Sequence, residues 1–306
     1  MADTEKTWES RMYMVLVIAA LAVTSFFYRL LVMRRLEQTS ALFIGIPTVL
    51  AFIVAFTPSA KSVTGGIMKA MTLGLLMSGI LLGEGFICIL MAAPLFYLVG
   101  AVIGLIISTS QKKNRTTMNC VVLLFLAPMA LEGMSSRFSF DRDEAVAAEE
   151  VVNAPQADVV AALAKSPRVD GKLAPYLRLR FPRPVWARGK GLQPGDLRTI
   201  HFAGGEGRPG DLTMRVKERS ANSVDFEAVS DHSKIAHWLE WRYARVEWAA
   251  IDATHTRVRW ELGYSRDLDP AWYFGPCERY AVRLAARYLI ENNATPVSQA
   301  TQEARW

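Results

Sequence analysis

The chain of 306 residues is long enough for two domains, and its composition changes near residue 140. Of the net charge of +6, the first 140 residues carry +5 and the rest carry +1. Positive charge among apolar segments is typical of membrane-protein loops, whereas a nucleic-acid-binding domain gathers its positive charge on a soluble face, so we expect no nucleic-acid partner. Cys88, Cys120 and Cys277 are too few and too scattered for a disulfide framework or a zinc site.

Five apolar segments predict an α-helical transmembrane domain over residues 1–134. They cover residues 12–33, 40–56, 66–82, 86–108 and 118–131. A spanning helix needs about 20 apolar residues. The last segment is short and contains Pro128, so four and five spans both stay open. The first segment is too long for the core of a signal peptide and lacks a small-residue cleavage pattern, so we interpret it as retained.

One carboxylate, Glu84, lies near the middle of the nearly continuous apolar stretch 65–108. That stretch is about twice as long as one span, so the chain is expected to fold back at Gly83-Glu84-Gly85. An ionisable group is costly in hydrocarbon. Glu84 is therefore either a turn carboxylate at the membrane surface or an intramembrane polar residue, for example a partner of Lys69 or Arg29.

The loops set the expected orientation, because positively charged loops stay in the cytoplasm. The strongest positive cluster is Lys112, Lys113 and Arg115. With five spans the C-terminal domain is extracytoplasmic, which is the placement we favour, and with four spans it stays inside. Gly79-x-x-x-Gly83 and Gly100-x-x-x-Gly104 match the small-residue pattern of helix contacts, so a homo-oligomer through transmembrane helices is a further expectation.

A polar linker, residues 135–145, leads into a soluble domain predicted over residues 146–292, and a disordered tail is predicted over 293–306. The order of predicted elements is a strand, a short helix, a loop-rich rim, five strands and a long helix. Their ranges are 147–152, 153–164, 168–197, 199–202, 212–218, 224–230, 237–248, 256–264 and 276–292. The apolar positions of 237–248 change parity, which predicts a β-bulge. The final helix is predicted to bury one apolar stripe against the sheet, and Glu278 is predicted to face away from it. The stripe comprises Tyr280, Ala281, Leu284, Ala285, Tyr288 and Leu289.

A family resemblance is carried by residues 149–155, with their Ala154-Pro155 turn, and by the strand–strand–helix ending over residues 238–290. These features resemble the START-like, polyketide cyclase and dehydrase superfamily. The resemblance implies an α+β helix-grip fold, in which a curved antiparallel sheet wraps a long C-terminal helix. Residues 36–47, 83–88 and 268–276 also resemble uncharacterised bacterial membrane proteins of that superfamily, which implies a multi-pass protein of the bacterial inner membrane.

The candidate ligand pocket is built from histidines and aromatic residues of the C-terminal domain. They are His201, His237, Trp241, Tyr243, Trp260, Tyr273, Phe274 and Tyr280. Aromatic side chains suit a lipid or other hydrophobic ligand, and they equally suit an ordinary core. We assign no catalytic residue, no cofactor and no metal, because the four histidines lack metal-binding spacing.

Three classes of function remain open from the sequence. The favoured one is non-catalytic binding of a lipid or other hydrophobic small molecule at the bilayer surface. The others are a cyclase or dehydrase-type enzyme acting on a hydrophobic substrate, and a structural or sensor membrane protein. Residues 205–210 match the dinucleotide-binding pattern G-x-G-x-x-G, but a strand follows them, so they are interpreted as a hairpin loop.

Overall fold

A computed structural model of the chain describes residues 11–24, 46–57, 60, 62–81, 86–110, 132, 140–179, 181–203 and 209–296. The chain divides into two compact units, residues 1–130 and 131–306. Glu84, the fifth predicted span and most of the predicted tail lie outside the described residues.

The N-terminal unit is helical wherever its longer segments are described. Its helices are α1 Arg11–Thr24, α2 Ile46–Phe56, α3 Val63–Leu81 and α4 Phe86–Ser110. Within the described part of the chain, one helix is long and apolar enough to cross a membrane; its segment Cys88–Leu105 has a mean hydropathy of 2.3 and is 11% buried. The predicted multi-span domain is therefore not supported by the described helices, because α1 and α2 are shorter there than the roughly 20 residues that a span requires.

Gly100 and Gly104 of α4 pack against α3. A β-carbon on Gly104 would lie 2.8 Å from Thr64 Cγ2 and 2.9 Å from Thr64 Cα, and one on Gly100 would lie 3.2 Å from Met71 Cγ. This pair confirms that small residues mark a helix contact, and the contact is inside the chain. Lys69, proposed above as a partner of Glu84, donates to the carbonyl oxygen of Thr57 at 2.9 Å, and Glu84 lies outside the described residues.

The C-terminal unit contains a seven-stranded antiparallel sheet in the order β1-β7-β6-β5-β4-β3-β2. The strands are β1 Asp143–Val152, β2 Arg183–Arg188, β3 Leu197–Ala203, β4 Gly210–Arg219, β5 Ser223–Asp231, β6 Leu239–Ala250 and β7 Thr256–Arg266. Helix α5, Gln156–Leu163, follows β1, and α6, Ala271–Asn293, follows β7. Two 3₁₀ helices cover Tyr176–Arg178 and Lys234–His237. A curled antiparallel sheet with a long C-terminal helix fits the helix-grip fold, as predicted.

Two predicted boundaries were wrong. The loop-rich region contains the edge strand β2. The strand was not predicted because one proline precedes it and another lies within it. An edge strand tolerates proline, since one side of its backbone has no neighbouring strand to hydrogen-bond with. Helix α6 begins at Ala271 after Pro270, so Pro276 lies inside the helix and does not start it. Strands β3 and β4, which flank the glycine-rich sequence, pair antiparallel, and this confirms a hairpin. Gly210 is the first residue of β4, and residues 204–208 lie outside the described part of the chain.

The core lies between α6 and the inner face of the sheet. The alternation predicted for β7 is confirmed, since Val258, Trp260, Leu262 and Tyr264 are all buried. The predicted stripe of α6 is confirmed only in part. Tyr288 is buried and Ala285 and Leu289 pack against the core. The helix also buries a row that contains Glu278, Val282, Ala286 and Ile290, and it leaves Tyr280 52% exposed. A stripe chosen by hydrophobicity cannot foresee a buried glutamate.

Candidate functional site

Trp241 and Trp260 lie in the interior, where the sequence placed them. Trp260 is 6% exposed on β7, and Trp241 packs against the buried core from β6. The ring of Trp241 meets that of Tyr264 edge-on, with 6.2 Å between centroids. The indole Nε1 atoms of both tryptophans are buried and have no hydrogen-bond partner.

His201 and Tyr243 lie on the outer face of the sheet, so these two predicted pocket residues do not line the interior. His201 Nδ1 lies 2.6 Å from Asp211 Oδ1, and its ring stacks on Trp186 with 4.9 Å between centroids. The predicted bulge in β6 is confirmed between Trp241 and Tyr243, and it is this change of register that turns Tyr243 outwards. There Tyr243 donates to Glu261 Oε1 at 2.8 Å.

Four predicted pocket residues lie on or beside the 3₁₀ helix Lys234–His237 and the first turns of α6. His237 is exposed at the end of that 3₁₀ helix and not in a strand. Tyr280 is mostly exposed and meets Tyr176 edge-on, with 5.1 Å between centroids. Tyr273 and Phe274 are half-buried and meet each other edge-on at 4.9 Å. These side chains belong to the surface of the unit more than to its interior.

Arg266, the last residue of β7, was assigned no role from the sequence, and its side chain is 0% exposed. Its Nη1 donates to the carbonyl oxygen of Leu268 at 2.9 Å and to Asp269 Oδ1 at 3.2 Å. Its Nε and Nη2 atoms are buried and have no hydrogen-bond partner. These two atoms form the side-on edge of the guanidinium, which matches the two oxygens of a carboxylate. The β7 alternation, continued from Tyr264 by two residues, could have identified Arg266.

Glu278 lies on the buried row of α6 and is 7% exposed. Both of its carboxyl oxygens are buried without a hydrogen-bond partner. Burial raises the pKa of Glu278 to about 8; Arg266 lowers it, while Glu144, Asp267 and Asp269 raise it. The group is therefore largely a neutral carboxylic acid at neutral pH.

We call Arg266, Glu278 and Trp241 the inner polar cluster. Their side chains share one property, which is that each presents at least one buried polar atom without a partner. They come from β6, β7 and α6, the elements that enclose the core. The cluster is the candidate functional site.

A neighbouring carboxylate, Glu144, has hydrogen-bond partners for both of its oxygens. Tyr264 Oη donates to Glu144 Oε2 at 3.1 Å, and Arg279 Nη1 donates to Oε1 at 3.0 Å and to Oε2 at 3.1 Å. Burial, followed by the charge of Glu144, raises the pKa of the Tyr264 hydroxyl. Glu144 therefore has its partners in the protein, whereas Glu278 does not.

The turn between β7 and α6 is held by a second set of charges. Arg142 forms an ion pair with Asp269, the same carboxylate that binds Arg266. Glu132 Oε1 accepts from the backbone N–H of Ala271 at 2.7 Å and lies 3.9 Å from Arg266 Nη1. These contacts fix the direction of the Arg266 side chain and the start of α6.

An open depression of 580 Å³ lies away from the inner polar cluster, at the sheet end that includes Trp248. Arg257 pairs with Glu149 at 3.2 Å and Arg259 with Glu247 at 3.7 Å on its wall. Its charges satisfy one another, so it is a weaker candidate than the cluster. Within the described residues, no group of His, Cys, Asp and Glu side chains could hold a metal ion.

No family model matches the sequence, and no curated protein matches it. Among similar solved structures, the Zhui aromatase/cyclase from Streptomyces sp. R1128 is 16% identical, and the match covers 50% of this chain and 87% of that one at a TM-score of 0.31. Norcoclaurine synthase from Thalictrum flavum is 11% identical, with 50% and 98% covered and a TM-score of 0.32. Major latex-like protein 151 from Panax ginseng is 13% identical, with 48% and 99% covered and a TM-score of 0.28. At these values the likenesses carry no activity or ligand over to this chain.

Proposed function

We propose that the protein binds an amphipathic hydrophobic molecule inside its helix-grip unit and holds it at the surface of a membrane. The observation that carries this proposal is the inner polar cluster. A buried polar atom without a partner costs about 1–3 kcal/mol. Several such atoms on β6, β7 and α6 indicate a place that a bound molecule completes.

The surroundings of the cluster suit the apolar part of such a molecule. Leu262 on β7, with Val282, Ala286 and Ile290 on α6, extends the buried surface from Glu278 towards the far end of the helix. A polar head near Arg266 and an apolar body along this surface would each meet matching chemistry. Binding of this kind requires no reaction.

The membrane part of the proposal rests on the N-terminal unit. Its segment Cys88–Leu105 has the length and apolarity of a span. The apolar segments outside the described residues and the basic loop at residues 112–115 support a multi-pass arrangement in a bacterial inner membrane, with the grip unit on the extracytoplasmic side. A C-terminal reporter fusion that is active in the cytoplasm would contradict that side.

The binding proposal is tested on the full chain, purified in a mild detergent and extracted with organic solvent. Mass spectrometry of the extract should identify an amphipathic molecule at about one per chain. The control is the same extraction from the host membrane purified without the protein, which corrects for lipid carried in the micelle. A full chain that is folded and holds no molecule above this control would contradict the proposal.

A second candidate function is general acid or base catalysis on a hydrophobic substrate. It is favoured by two titratable groups in contact, Tyr264 and Glu144, next to the neutral carboxyl group of Glu278. A molecule extracted from the wild-type chain that differs from the one extracted from a Glu278→Gln variant would support turnover. Identical extracts from both would favour binding without reaction.

A further inference from the structure

Resting on the proposed function, we propose that the bound molecule is an amphipathic carboxylic acid whose carboxylate lies side-on against Nε and Nη2 of Arg266 and accepts a hydrogen bond from the carboxyl group of Glu278. The proposed molecule is a long-chain or polycyclic carboxylic acid, and its head group is the part that Arg266 and Glu278 recognise.

The orientation of Arg266 is the first step. Its Nη1 is held by the carbonyl oxygen of Leu268 and by Asp269, while Nε and Nη2 have no protein partner. An arginine fixed by one nitrogen presents the opposite edge in a defined direction. Two parallel N–H donors on that edge fit the two oxygens of one carboxylate, and a hydroxyl oxygen would leave one donor unsatisfied.

The second step concerns Glu278, the buried acid on α6. Arg266 and Glu278 form no ion pair, although the charge of Arg266 acts on the Glu278 carboxyl group. A carboxyl group between a guanidinium and a ligand carboxylate can donate its proton to the ligand, so two acids share one proton. An ammonium head would lie next to the guanidinium and be repelled by it.

The local charges disfavour a head group with more than one negative charge. Three arginines, Arg142, Arg266 and Arg279, are balanced by three carboxylates. These carboxylates are Glu132, Glu144 and Asp269. The N-terminus of α6 adds a partial positive charge beside Glu132, and exposed Asp267 adds a negative one nearby. Because these charges already balance, any negative charge on the head group adds to the local negative charge, so a monoanion is less unfavourable than a phosphate monoester, which brings nearly two charges.

The test uses photo-crosslinking of the full chain in lipid nanodiscs at neutral pH. The probes share a 16-carbon chain with a mid-chain diazirine and a terminal alkyne, and their heads are a carboxylic acid, its methyl ester, a primary amine and a phosphate. Mass spectrometry then maps the labelled peptides. We expect the acid to label peptides of β6, β7 and α6 about tenfold more than the ester, which corresponds to about 1.4 kcal/mol.

Variants separate the two contacts. Arg266→Lys keeps the charge and removes the side-on edge, so the ratio of acid to ester labelling should fall towards one. Glu278→Gln keeps a hydrogen-bond donor, so the preference for the acid should persist. Near-ultraviolet circular dichroism checks that each variant folds, and if Arg266→Lys does not fold, the wild-type ratios still decide the question.

The outcomes distinguish the inference from the proposed function. Equal labelling of the interior by acid and ester, or stronger labelling by the phosphate or the amine, overturns the carboxylate assignment and leaves hydrophobic binding intact. No labelling of the interior peptides by any of the four probes overturns the proposed function, and with it the inference.

Discussion

Arg266 and Glu278 lie on the strand and helix that face each other across the core, yet they form no ion pair. Both side chains are almost fully buried and both keep polar atoms without a partner. Both residues therefore keep hydrogen-bonding capacity that the protein itself does not use.

The first prediction concerns the pH dependence of stability. In the folded chain burial raises the pKa of Glu278 from 4.5 to about 8. As pH rises from about 4.5 to about 8, the unfolded chain loses this proton first, so the contribution of Glu278 to stability falls across that window. Glu278→Gln has no proton to lose and should escape this decline.

Thermal unfolding of the full chain in detergent between pH 5 and pH 9 measures the effect. We expect the difference in melting temperature, Glu278→Gln minus wild type, to increase as pH rises, by about 2–4 °C for each kcal/mol. Subtracting the two curves removes the titration of groups that both proteins share. A difference that stays constant with pH would show that Glu278 is ionised in the folded chain.

The second prediction concerns Asp269, which joins two arginines at the turn before α6. Its carboxylate pairs with Arg142 and with the fully buried Arg266. Asp269→Asn removes the charge from both pairs and should lower the free energy of unfolding by about 1–3 kcal/mol. The matched control is Glu240→Gln, because Glu240 and Arg242 form a pair in which both side chains are at least half exposed. Equal stabilities of the two variants in chemical denaturation would contradict the role of the turn.

The third prediction concerns Glu132, which accepts a hydrogen bond from the N–H of Ala271 at the start of α6. A helix start without such an acceptor loses about 0.5–2 kcal/mol. Glu132→Ala should therefore speed amide hydrogen exchange in the first turn of α6, and Glu132→Gln, which keeps an acceptor oxygen, should restore much of the protection. Equally fast exchange in both variants would show that the lost charge near Arg266 is the cause. Exchange as slow as in the wild type for Glu132→Ala would show that Glu132 does not stabilise the start of α6.

The helix-grip fold was predicted from the sequence more completely than the candidate functional site. Alternation identifies the inner row of β7, and the parity change in β6 identifies the bulge, because both signals are written in consecutive residues. Tyr243 shows the limit of the same signal, since a bulge predicted correctly still leaves open which side of it faces the core. The structure decides this through the hydrogen bond to Glu261.

The inner polar cluster escaped prediction for a physical reason. Arginine and glutamate are normally solvated, so Glu278 was predicted to face away from the core and Arg266 was assigned no role. Their burial depends on partners far away in sequence, such as Glu132 and Arg142 around the turn. His201 was proposed for the interior on chemistry alone, and a neighbouring strand supplies its partner Asp211 on the outer face.

The last prediction concerns the packing of α3 on α4. A β-carbon on Gly104 would approach the backbone of Thr64 to 2.9 Å, so Gly104→Ala must push the helices apart. We expect a loss of about 1–3 kcal/mol, seen as a lower melting temperature in detergent. Gly74→Ala on α3 is the matched control, because its β-carbon would meet no atom within 4 Å, and better helix propensity should leave it as stable as wild type or slightly more so.

Since the contact between Gly104 and Thr64 lies within one chain, size-exclusion chromatography should give the same oligomeric state for both variants. Equal melting temperatures would mean that α3 and α4 do not pack through Gly104, and a change in oligomeric state for Gly104→Ala would move that contact to the surface between chains.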